Sequence, residues 1–499
     1  MTATSSASSA PAEPRTGSGD LNAQVRETHT GIVFLVGDKA YKAKKPLRTD
    51  FLDFSTSALR ERACANEVAL NRRLAPDSYL GVAHFSGVEG DQTEPVIVMR
   101  RYPDEARLTT LVKNNEPVHH HLCVIAEMVA RFHARADRGP AIDAQGTNRA
   151  ILARWQQNFV ELQRYSDSII PARFIAEAAR LASQFISGRA PLFAHRIAGH
   201  RIVDGHADLL ADDIFCMPDG PALLDCLEFD DRLRYVDGID DAAFLAMDLE
   251  FLGRRDLGDY FLDEYVRRAD DSAPKALRDF YIAYRALVRA KVDCIRVDQG
   301  HPEARDDACR HVDIALQHLR AGAVRLILIG GGPGTGKTTL SRALAQQVGA
   351  EVISTDVVRR ELEQQGVIRG TVGELNTGLY TPENVSRVYE EVLRRARPLL
   401  AYGRSVILDG TWGDPLQRER ARQLATETAT TTTEFMCEVQ DATASERIQR
   451  RTGSTSDATP AIAVALTQRN GESFGHRIDT SRPLADSVAE AQKLCCPAT

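Results

Sequence analysis

The stretch VRLILIGGGPGTGKTTLSRALAQQVGA, residues 324–350, decides the fold of the C-terminal part of the chain. It starts as an apolar run, passes through a glycine-rich turn and ends in an amphipathic helical pattern, in which Leu340, Leu344 and Val348 share a face. Residues 331–338 match the pattern G-x-x-x-x-G-K-[ST], which binds phosphate when a strand precedes it and a helix follows it. The stretch therefore predicts a P-loop.

The residue types in this loop suit a bound nucleoside triphosphate. Glycines allow backbone N–H groups to approach phosphate oxygens, and the following helix presents the positive end of its dipole. Lys337 can reach the β- and γ-phosphates, and the Thr338 hydroxyl can ligate Mg²⁺. We therefore expect ATP or GTP with Mg²⁺. The predicted nucleotide-binding residues of the loop are Gly331, Gly332, Pro333, Gly334, Thr335, Gly336, Lys337, Thr338 and Thr339.

Strands and helices alternate after the P-loop. The apolar segments EVIST, SVILDGT and EFMCEV are separated by helical patterns, which predicts a parallel sheet covered by helices. Asp409 ends one of these strands. Its carboxylate is a candidate to orient Mg²⁺ or a water molecule bound to the metal.

A second acidic position follows the P-loop helix by one strand. Asp356 and Arg359 lie three residues apart at the start of a helix, so they share a face. Helix capping is the alternative role for Asp356. The arrangement resembles the small P-loop kinases, such as gluconate kinase, the polynucleotide 5′-hydroxyl kinases and the zeta-toxin-type kinases. The resemblance implies that Asp356 activates the acceptor hydroxyl and that Arg359 binds the substrate.

A cluster of arginines near the C-terminus has the pattern of a lid. Arg447, Arg450 and Arg451 lie on a predicted helix that runs into a Gly/Ser/Thr-rich loop. We expect Arg451 to stabilise charge on the transferring phosphoryl group, and a solvated helix face is the alternative. GHRIDTSRP, residues 475–483, is a further candidate segment for the acceptor site.

The N-terminal half carries a different pattern. TGIVFLVGDKAYKAKKPL, residues 30–47, predicts two strands joined by a Gly-Asp turn, and a helix follows. Glu67 lies on an otherwise apolar stripe of that helix, and a buried carboxylate needs a partner. Lys42 on the second strand is the candidate partner. Lys44 points to the same side of the strand as Lys42 and is the alternative partner of Glu67.

Three carboxylates and one histidine crowd the segment HADLLADD, residues 206–213. This loop, the hairpin and the later LLDCLEF resemble the aminoglycoside phosphotransferase-like kinases, whose loop usually reads H-G-D-L-H-x-x-N before a strand and I-D-x-E. ETHTGIVFLVGDKAYKAKKPL and EVALNRRLAPDSYLG resemble more closely an uncharacterised bacterial branch of that superfamily, which is often fused to a P-loop domain. The resemblance spans nearly the whole chain, from about residue 25 to 490.

The resemblance assigns roles by position, with three departures. The implied residues are Asp208 as the catalytic base, Asp225 and Asp213 as Mg²⁺ ligands, Glu67 with Lys42 as the phosphate-holding pair, and His206 as a structural residue of the loop. Ala207 stands for the family's glycine, Leu210 for its second histidine and Asp213 for its asparagine. Aspartate offers Mg²⁺ a hard oxygen too, but it adds a charge. There are two alternatives to an active kinase. The N-terminal domain could be a pseudokinase that binds nucleotide without catalysis, or a domain whose role does not involve nucleotide.

The expected organisation is a disordered tail over 1–20, an α+β protein-kinase-like domain over 21–320 and an α/β P-loop domain over 321–499. A chain of 499 residues is longer than a single compact hydrophobic core accommodates, so more than one domain is expected. The net charge of −7 gives no overall basic field, so nucleic acid is a possible but not favoured partner. The apolar runs are too short for a membrane span, and nine scattered cysteines suit the cytoplasm.

These patterns together predict an ATP- and Mg²⁺-dependent phosphotransferase with two nucleotide-binding domains. The P-loop domain is expected to transfer a phosphoryl group to a hydroxyl acceptor, and the kinase-like N-terminal domain is expected to act on a small hydroxylated molecule. One rival is a regulatory nucleotide switch, in which the P-loop domain hydrolyses ATP and the N-terminal domain is a pseudokinase. Another rival is a polynucleotide end kinase.

Overall fold

The computed structural model describes residues 24–27, 31–47, 53–86, 93–371, 377–450 and 474–495. The chain divides into two compact units, Met1–Ala106 and Arg107–Thr499. The predicted disordered tail, residues 1–20, lies outside the described residues. In the described ranges, no helix is both long and apolar enough to cross a lipid bilayer.

The first unit is built on a five-stranded antiparallel sheet. Its strands are β1 (Gln24–Glu27), β2 (Gly31–Val36), β3 (Lys39–Lys44), β4 (Tyr79–Ser86) and β5 (Thr93–Arg100), which pair in the order β1-β2-β3-β5-β4. The predicted hairpin is β2–β3, and Gly37 in its turn has φ of +58°. Side chains alternate along β3, so Lys42 and Lys44 both point to its buried face.

One long helix, α1 (Ser57–Asn71), packs on this sheet. It begins after Thr56, whose hydroxyl oxygen accepts a hydrogen bond from the Leu59 backbone N–H at 3.3 Å. The buried side of α1 consists of Arg60, Cys64, Glu67, Val68 and Asn71. Glu67 therefore lies on the packed face of α1, although that face is more polar than the sequence pattern predicts.

The second unit starts with a mostly helical part. Its helices are α2 (Leu108–Lys113), α3 (His119–Arg135), α4 (Pro140–Asp143), α5 (Asn148–Gln163), α6 (Ala172–Gly188), α7 (Ala190–Ala198), α8 (Asp231–Arg234), α9 (Gly238–Phe251), α10 (Arg255–Arg268), α11 (Lys275–Asp298) and α12 (Ala304–Ala321). Two short antiparallel strand pairs, β6 (Ile202–Asp204) with β9 (Tyr235–Asp237) and β7 (Ile214–Met217) with β8 (Gly220–Leu223), flank HADLLADD. Helix α9 is buried along most of its length and supports this loop.

The remainder of the second unit is an α/β layer structure. Its elements are β10 (Arg325–Gly330), α13 (Lys337–Val348), β11 (Glu351–Ser354), α14 (Thr355–Gln364), α15 (Pro382–Ala401), β12 (Val406–Asp409), α16 (Pro415–Glu427), β13 (Thr431–Glu438), α17 (Asp441–Gln449), β14 (His476–Asp479) and α18 (Leu484–Cys495). The strands form a parallel sheet in the order β11-β12-β10-β13-β14, so the predicted parallel sheet is confirmed. The sequence pattern did not predict β14, which lies within GHRIDTSRP.

The helical and α/β parts meet between Ala321 and Arg325. The Arg325 guanidinium donates to three carbonyl oxygens, those of Arg320, Ala323 and Cys495, at 2.7, 2.6 and 2.9 Å. These bonds tie the last residues of α12 to both ends of the α/β part. The predicted domain boundary near residue 320 falls at this junction and stays a prediction.

Candidate functional site

The loop between β10 and α13 has the backbone conformation that requires glycine. Gly331, Gly334 and Gly336 have φ angles of +136°, +81° and +85°, which other residues rarely adopt. A Cβ atom at Gly334 would lie 2.5 Å from the carbonyl oxygen of Ala444 on α17. Glycine is therefore needed both for the turn and for the close approach of α17.

Two side chains at the start of α13 make contacts suited to a phosphate and metal site. Lys337 Nζ donates to the Gly332 carbonyl oxygen at 2.8 Å, across the loop. The Thr338 hydroxyl donates to Asp409 Oδ2 at 2.8 Å. Burial raises the pKa of the Asp409 carboxyl, and Lys337 and the hydrogen bond from Thr338 oppose this rise.

The Thr338 hydroxyl and the Asp409 carboxylate place two hard oxygens side by side, which is the ligand type that Mg²⁺ prefers. Among the described residues, no three His, Cys, Asp or Glu side chains lie close enough together to hold a metal ion. The pair therefore fits a Mg²⁺ ion that takes its remaining ligands from phosphates and water, as Mg²⁺ commonly does.

Asp356 lies in the first turn of α14, next to this pair. The N-cap of α14 is Ser354, so helix capping does not account for the aspartate. Asp356 Oδ1 accepts a hydrogen bond from Arg359 Nη1 at 2.8 Å. Arg359 is buried, its guanidinium lies 4.5 Å from the centre of the Tyr380 ring, and its Nε has no hydrogen-bond partner among the described residues. The carboxylate is thus held in place beside a cation.

Asp356 and the P-loop meet because of the sheet topology. Strands β11 and β12 are parallel neighbours, and Ser354 pairs with Asp409 at their carboxyl ends. Asp356 follows Ser354 by two residues, and its charge acts on the Asp409 carboxyl. The predicted acceptor-side residues and the predicted nucleotide-side residues therefore lie at the same edge of the sheet.

Two residues outside the P-loop motif also contact the loop, and sequence reasoning did not assign either to it. Arg447 Nη2 donates to the Thr480 carbonyl oxygen at 2.9 Å, and the Thr480 hydroxyl donates to the Thr335 carbonyl oxygen at 2.6 Å. They border a pocket of about 420 Å³, which is also lined by Gly336, Thr339 and Ser487. GHRIDTSRP was the available signal for Thr480, but the structure places this residue on the P-loop side.

The predicted lid arginines have different environments. Arg451 lies outside the described residues, so its expected role stays a prediction. Arg450 is exposed and forms an ion pair with Glu446 one turn earlier on α17. Arg447 on α17 donates to the Gly334 carbonyl oxygen of the P-loop and to Thr480, which itself contacts the loop.

In the first unit, one buried carboxylate joins both candidate lysines. Lys42 Nζ donates to Glu67 Oε1 at 2.8 Å, and Lys44 Nζ pairs with Glu67 Oε2. The side chains of Lys44 and Glu67 are fully buried, whereas that of Lys42 retains 10% exposure. Lys42 is therefore the less buried of the two lysines, and its expected role in holding phosphates stays a prediction.

Glu67→Ala should destabilise the first unit strongly. Removal of the carboxylate leaves two ammonium groups side by side in a buried site, and such uncompensated charges typically cost about 3–5 kcal/mol. The free energy of unfolding by urea measures this loss. The control is Glu61→Ala on the same helix, which removes an exposed pair with His84 and should cost about 1 kcal/mol or less. Equal effects of the two substitutions would contradict the prediction.

In the second unit, HADLLADD is fastened to α9 by its backbone. The His206 and Ala207 N–H groups both donate to the carboxylate of Asp241 at 2.7 Å. His133 Nε2 lies 2.9 Å from Asp241 Oδ2. Burial raises the pKa of the Asp241 carboxyl, but the hydrogen bond and charge of His133 and the bond from the His206 backbone N–H outweigh this effect, and the pKa lies well below its usual range. The loop is therefore anchored on an ionised carboxylate.

This anchoring explains two positions of the loop. Ala207, which stands where the H-G-D loop pattern has glycine, adopts φ of +67°, so the loop keeps a left-handed turn without glycine. His206 is buried, and its Nδ1 accepts a hydrogen bond from the Asp208 N–H at 3.3 Å. His206 thus contacts the backbone of the loop and fixes the position of Asp208.

Asp208 lies among charged groups from three elements. Burial raises the pKa of its carboxyl to about 7, with further increases from Asp225 and Asp248, while Arg289 and Arg285 lower it. Asp225 has φ of +64° and lies just after β8. The structure therefore brings Asp208 and Asp225 close enough for their charges to interact, and their expected roles as base and metal ligand stay predictions.

Asp213 closes the loop at the start of β7. Its N–H donates to the Leu210 carbonyl oxygen at 3.1 Å, and its own carbonyl oxygen accepts from the Leu224 N–H at 3.0 Å. These bonds hold HADLLADD next to the strand end that carries Asp225. Asp213 and Asp225 both carry carboxylate oxygens, the ligand type that Mg²⁺ prefers, and their expected role as its ligands stays a prediction.

Comparison with known proteins adds three findings. Uncharacterized proteins of Mycobacterium tuberculosis (strain H37Rv) and Mycobacterium bovis are 56% identical over 471 residues, which cover 94% of this chain and 95% of theirs. A family model described as an AAA domain matches residues 326–470. This match and the parallel sheet confirm the predicted P-loop α/β part, whereas the protein-kinase-like fold of the preceding part stays a prediction.

Solved structures resemble each part of the chain separately. A gluconokinase from Sinorhizobium meliloti is 18% identical, covers 35% of this chain and 93% of its own, and has a TM-score of 0.27. A choline/ethanolamine kinase family protein from Mesorhizobium loti is 15% identical, covers 61% of this chain and 96% of its own, and has a TM-score of 0.36.

Proposed function

The chain belongs to the family of these mycobacterial proteins, and we propose that its α/β part is a P-loop phosphotransferase. It binds ATP or GTP at residues 331–339 and transfers the γ-phosphoryl group to a hydroxyl of a small molecule. The observation that carries this proposal is the convergence of Lys337, the Thr338–Asp409 pair and Asp356 at one edge of the parallel sheet. A triphosphate site and a potential base for an acceptor hydroxyl thus lie side by side.

The transfer step follows from these positions. The acceptor oxygen forms a bond to the γ-phosphorus, the bond from the γ-phosphorus to the β–γ bridging oxygen breaks, and the nucleoside diphosphate leaves with that electron pair. The hydroxyl proton passes to the carboxylate of Asp356, which Arg359 orients. Lys337 holds the phosphates, and Mg²⁺, when bound near Thr338 and Asp409, neutralises part of their charge.

Asp356→Asn tests this assignment. The amide cannot take the proton of the acceptor, so acceptor-dependent ADP formation should fall about 10²- to 10⁴-fold, which is the usual contribution of a general base. Nucleotide affinity should change by less than about threefold. The control is Glu363→Gln, an exposed carboxylate on the same helix, which should leave the rate unchanged. A full rate in Asp356→Asn would exclude Asp356 as the base.

A second phosphotransfer site is proposed for the helical part of unit 2. This part contains Asp208 with Asp225, which are the residue types that a kinase-like site uses for the acceptor hydroxyl and the metal. The observation favouring this second function is the firm anchoring of HADLLADD on Asp241, which holds Asp208 in a defined position.

An acceptor screen separates these functions from their rivals. Hydroxylated metabolites, aminoglycosides and nucleic-acid ends are each added to the chain with ATP and Mg²⁺, and ADP formation is measured. A phosphotransferase requires the acceptor, whereas a nucleotide switch turns over with water alone. Stimulation by 5′-hydroxyl nucleic-acid ends alone would identify an end kinase. We expect a small hydroxylated acceptor, used in the cytoplasm.

A further inference from the structure

The loop that carries Asp208 has an excess of negative charge. Besides Asp208, the segment HADLLADD contains Asp212 and Asp213 and has no lysine or arginine. The carboxylates of Asp225 and Asp248 also act on Asp208. A triphosphate at this site would add further negative charge, and phosphoryl transfer requires cations directed at the γ-phosphoryl oxygens. A positive group must therefore come from another element.

Helix α11 brings two arginines to the loop. Arg285 Nε donates to Asp240 at 2.7 Å, and its Nη1 donates to the Ala207 carbonyl oxygen at 3.3 Å. Arg289 follows one helical turn later on the same face of α11 as Arg285, which contacts the loop at Ala207. Its charge acts on both Asp208 and Asp248. The geometry of α11 thus places the guanidinium of Arg289 beside the proposed base.

Arg289 differs from the other cations around the loop in having no fixed partner. Its half-buried side chain makes no hydrogen bond or ion pair with any described residue. Arg285 is buried and bound to Asp240, and Arg107 is bound to Asp212 and lies over the Phe215 ring. Those two guanidinium groups hold the fold, whereas that of Arg289 has its donors available.

We propose that Arg289 is a catalytic residue of the second phosphotransfer site and that it binds the γ-phosphoryl oxygens of the nucleotide. The inference rests on the kinase-like function proposed above. The guanidinium offers parallel N–H donors that match two phosphate oxygens. In the step itself, the acceptor oxygen bonds to the γ-phosphorus, the bridging bond to ADP breaks, and the hydroxyl proton goes to Asp208. Arg289 offsets the charge on the transferring group.

Nucleotide binding tests the proposal independently of turnover. The full chain carrying Lys337→Ala, which removes the P-loop site, is titrated with Mg·ADP and with Mg·AMPPNP, which differ in the γ-phosphoryl group. Arg289→Ala should weaken AMPPNP binding about 10- to 100-fold, the range expected for hydrogen bonds between charged groups. ADP binding should change less than about twofold. Arg289→Lys should recover part of the AMPPNP affinity, because lysine restores the positive charge but lacks the parallel N–H donors of the guanidinium.

The matched control is Arg296→Ala. Arg296 lies two turns further along α11 and pairs locally with Asp293, so its loss should leave both affinities unchanged. Equal AMPPNP affinities in the Arg289→Ala, Arg289→Lys and Arg296→Ala chains would overturn the proposed role of Arg289. The existence of the second nucleotide site would not be contradicted by that result. If the Lys337→Ala chain binds neither nucleotide, the second site itself is wrong and the inference falls with it. Should Arg289→Ala fail to fold, Arg289→Lys decides by the same comparison.

Discussion

Lys337→Ala is expected to abolish nucleotide binding at the P-loop. The Lys337 ammonium group lies over the loop, 2.8 Å from the Gly332 carbonyl oxygen, where the β- and γ-phosphates would replace this contact. Loss of a charge-assisted contact to two phosphates should lower the affinity at this site at least about 100-fold. Calorimetric titration of the full chain with Mg·ATP should then show one of the two proposed sites instead of both.

The control for this substitution is Arg342→Ala. Arg342 lies on the same helix and is exposed, so it tests the loss of a positive charge near the loop without loss of the phosphate contact. The chain with Arg342→Ala should retain both sites. Unchanged affinity and stoichiometry in the Lys337→Ala chain would show that residues 331–338 are not a nucleotide site.

The P-loop could be predicted because its requirements are local in sequence. Gly331, Gly334 and Gly336 adopt backbone angles that glycine favours, and Lys337 follows where the helix begins. A strand before the loop and a helix after it complete the motif within 27 consecutive residues. The order of the elements also predicts the parallel sheet, since parallel neighbours need a helix between them.

Contacts made across the sequence could not be predicted in the same way. Thr480 binds the carbonyl oxygen of Thr335, and the two are separated by 145 positions. The short strand β14, His476–Asp479, carries Thr480 to the P-loop, and its four residues are too few for a clear alternating pattern. The pairing of this strand with β13 is what gives Thr480 its position.

The lysine pair shows a different limit. Lys42 and Lys44 are two residues apart on β3, so their side chains point to the same face, and sequence spacing cannot choose between them. In the structure both contact Glu67, and they differ in burial, since Lys44 is fully buried and Lys42 retains 10% exposure. Burial depends on how α1 packs on the sheet. That packing is a tertiary property which the local pattern does not contain.

Asp208→Ala should remove the activity of the second site while leaving its nucleotide affinity largely intact. In the full chain carrying Lys337→Ala, acceptor-dependent ADP formation should fall about 10²- to 10⁴-fold, because no other group takes the acceptor proton. Burial together with Asp225 and Asp248 raises the pKa of the Asp208 carboxyl to about 7, a range that suits a base in neutral solution. The measurement is the rate of ADP release with the acceptor found by screening.

Asp219→Ala is the matched control, because Asp219 is an exposed aspartate in the turn that follows β7 and should not affect the rate. An ADP release rate that stays the same in Asp208→Ala would exclude the aspartate as base. If nucleotide still bound, the second site would be that of a pseudokinase. The negative charge that Asp213 adds in place of asparagine would then be the first structural explanation for its lack of activity. A selective loss of rate in Asp208→Ala would instead mean that the carboxylate of Asp213 is compatible with phosphotransfer at this site.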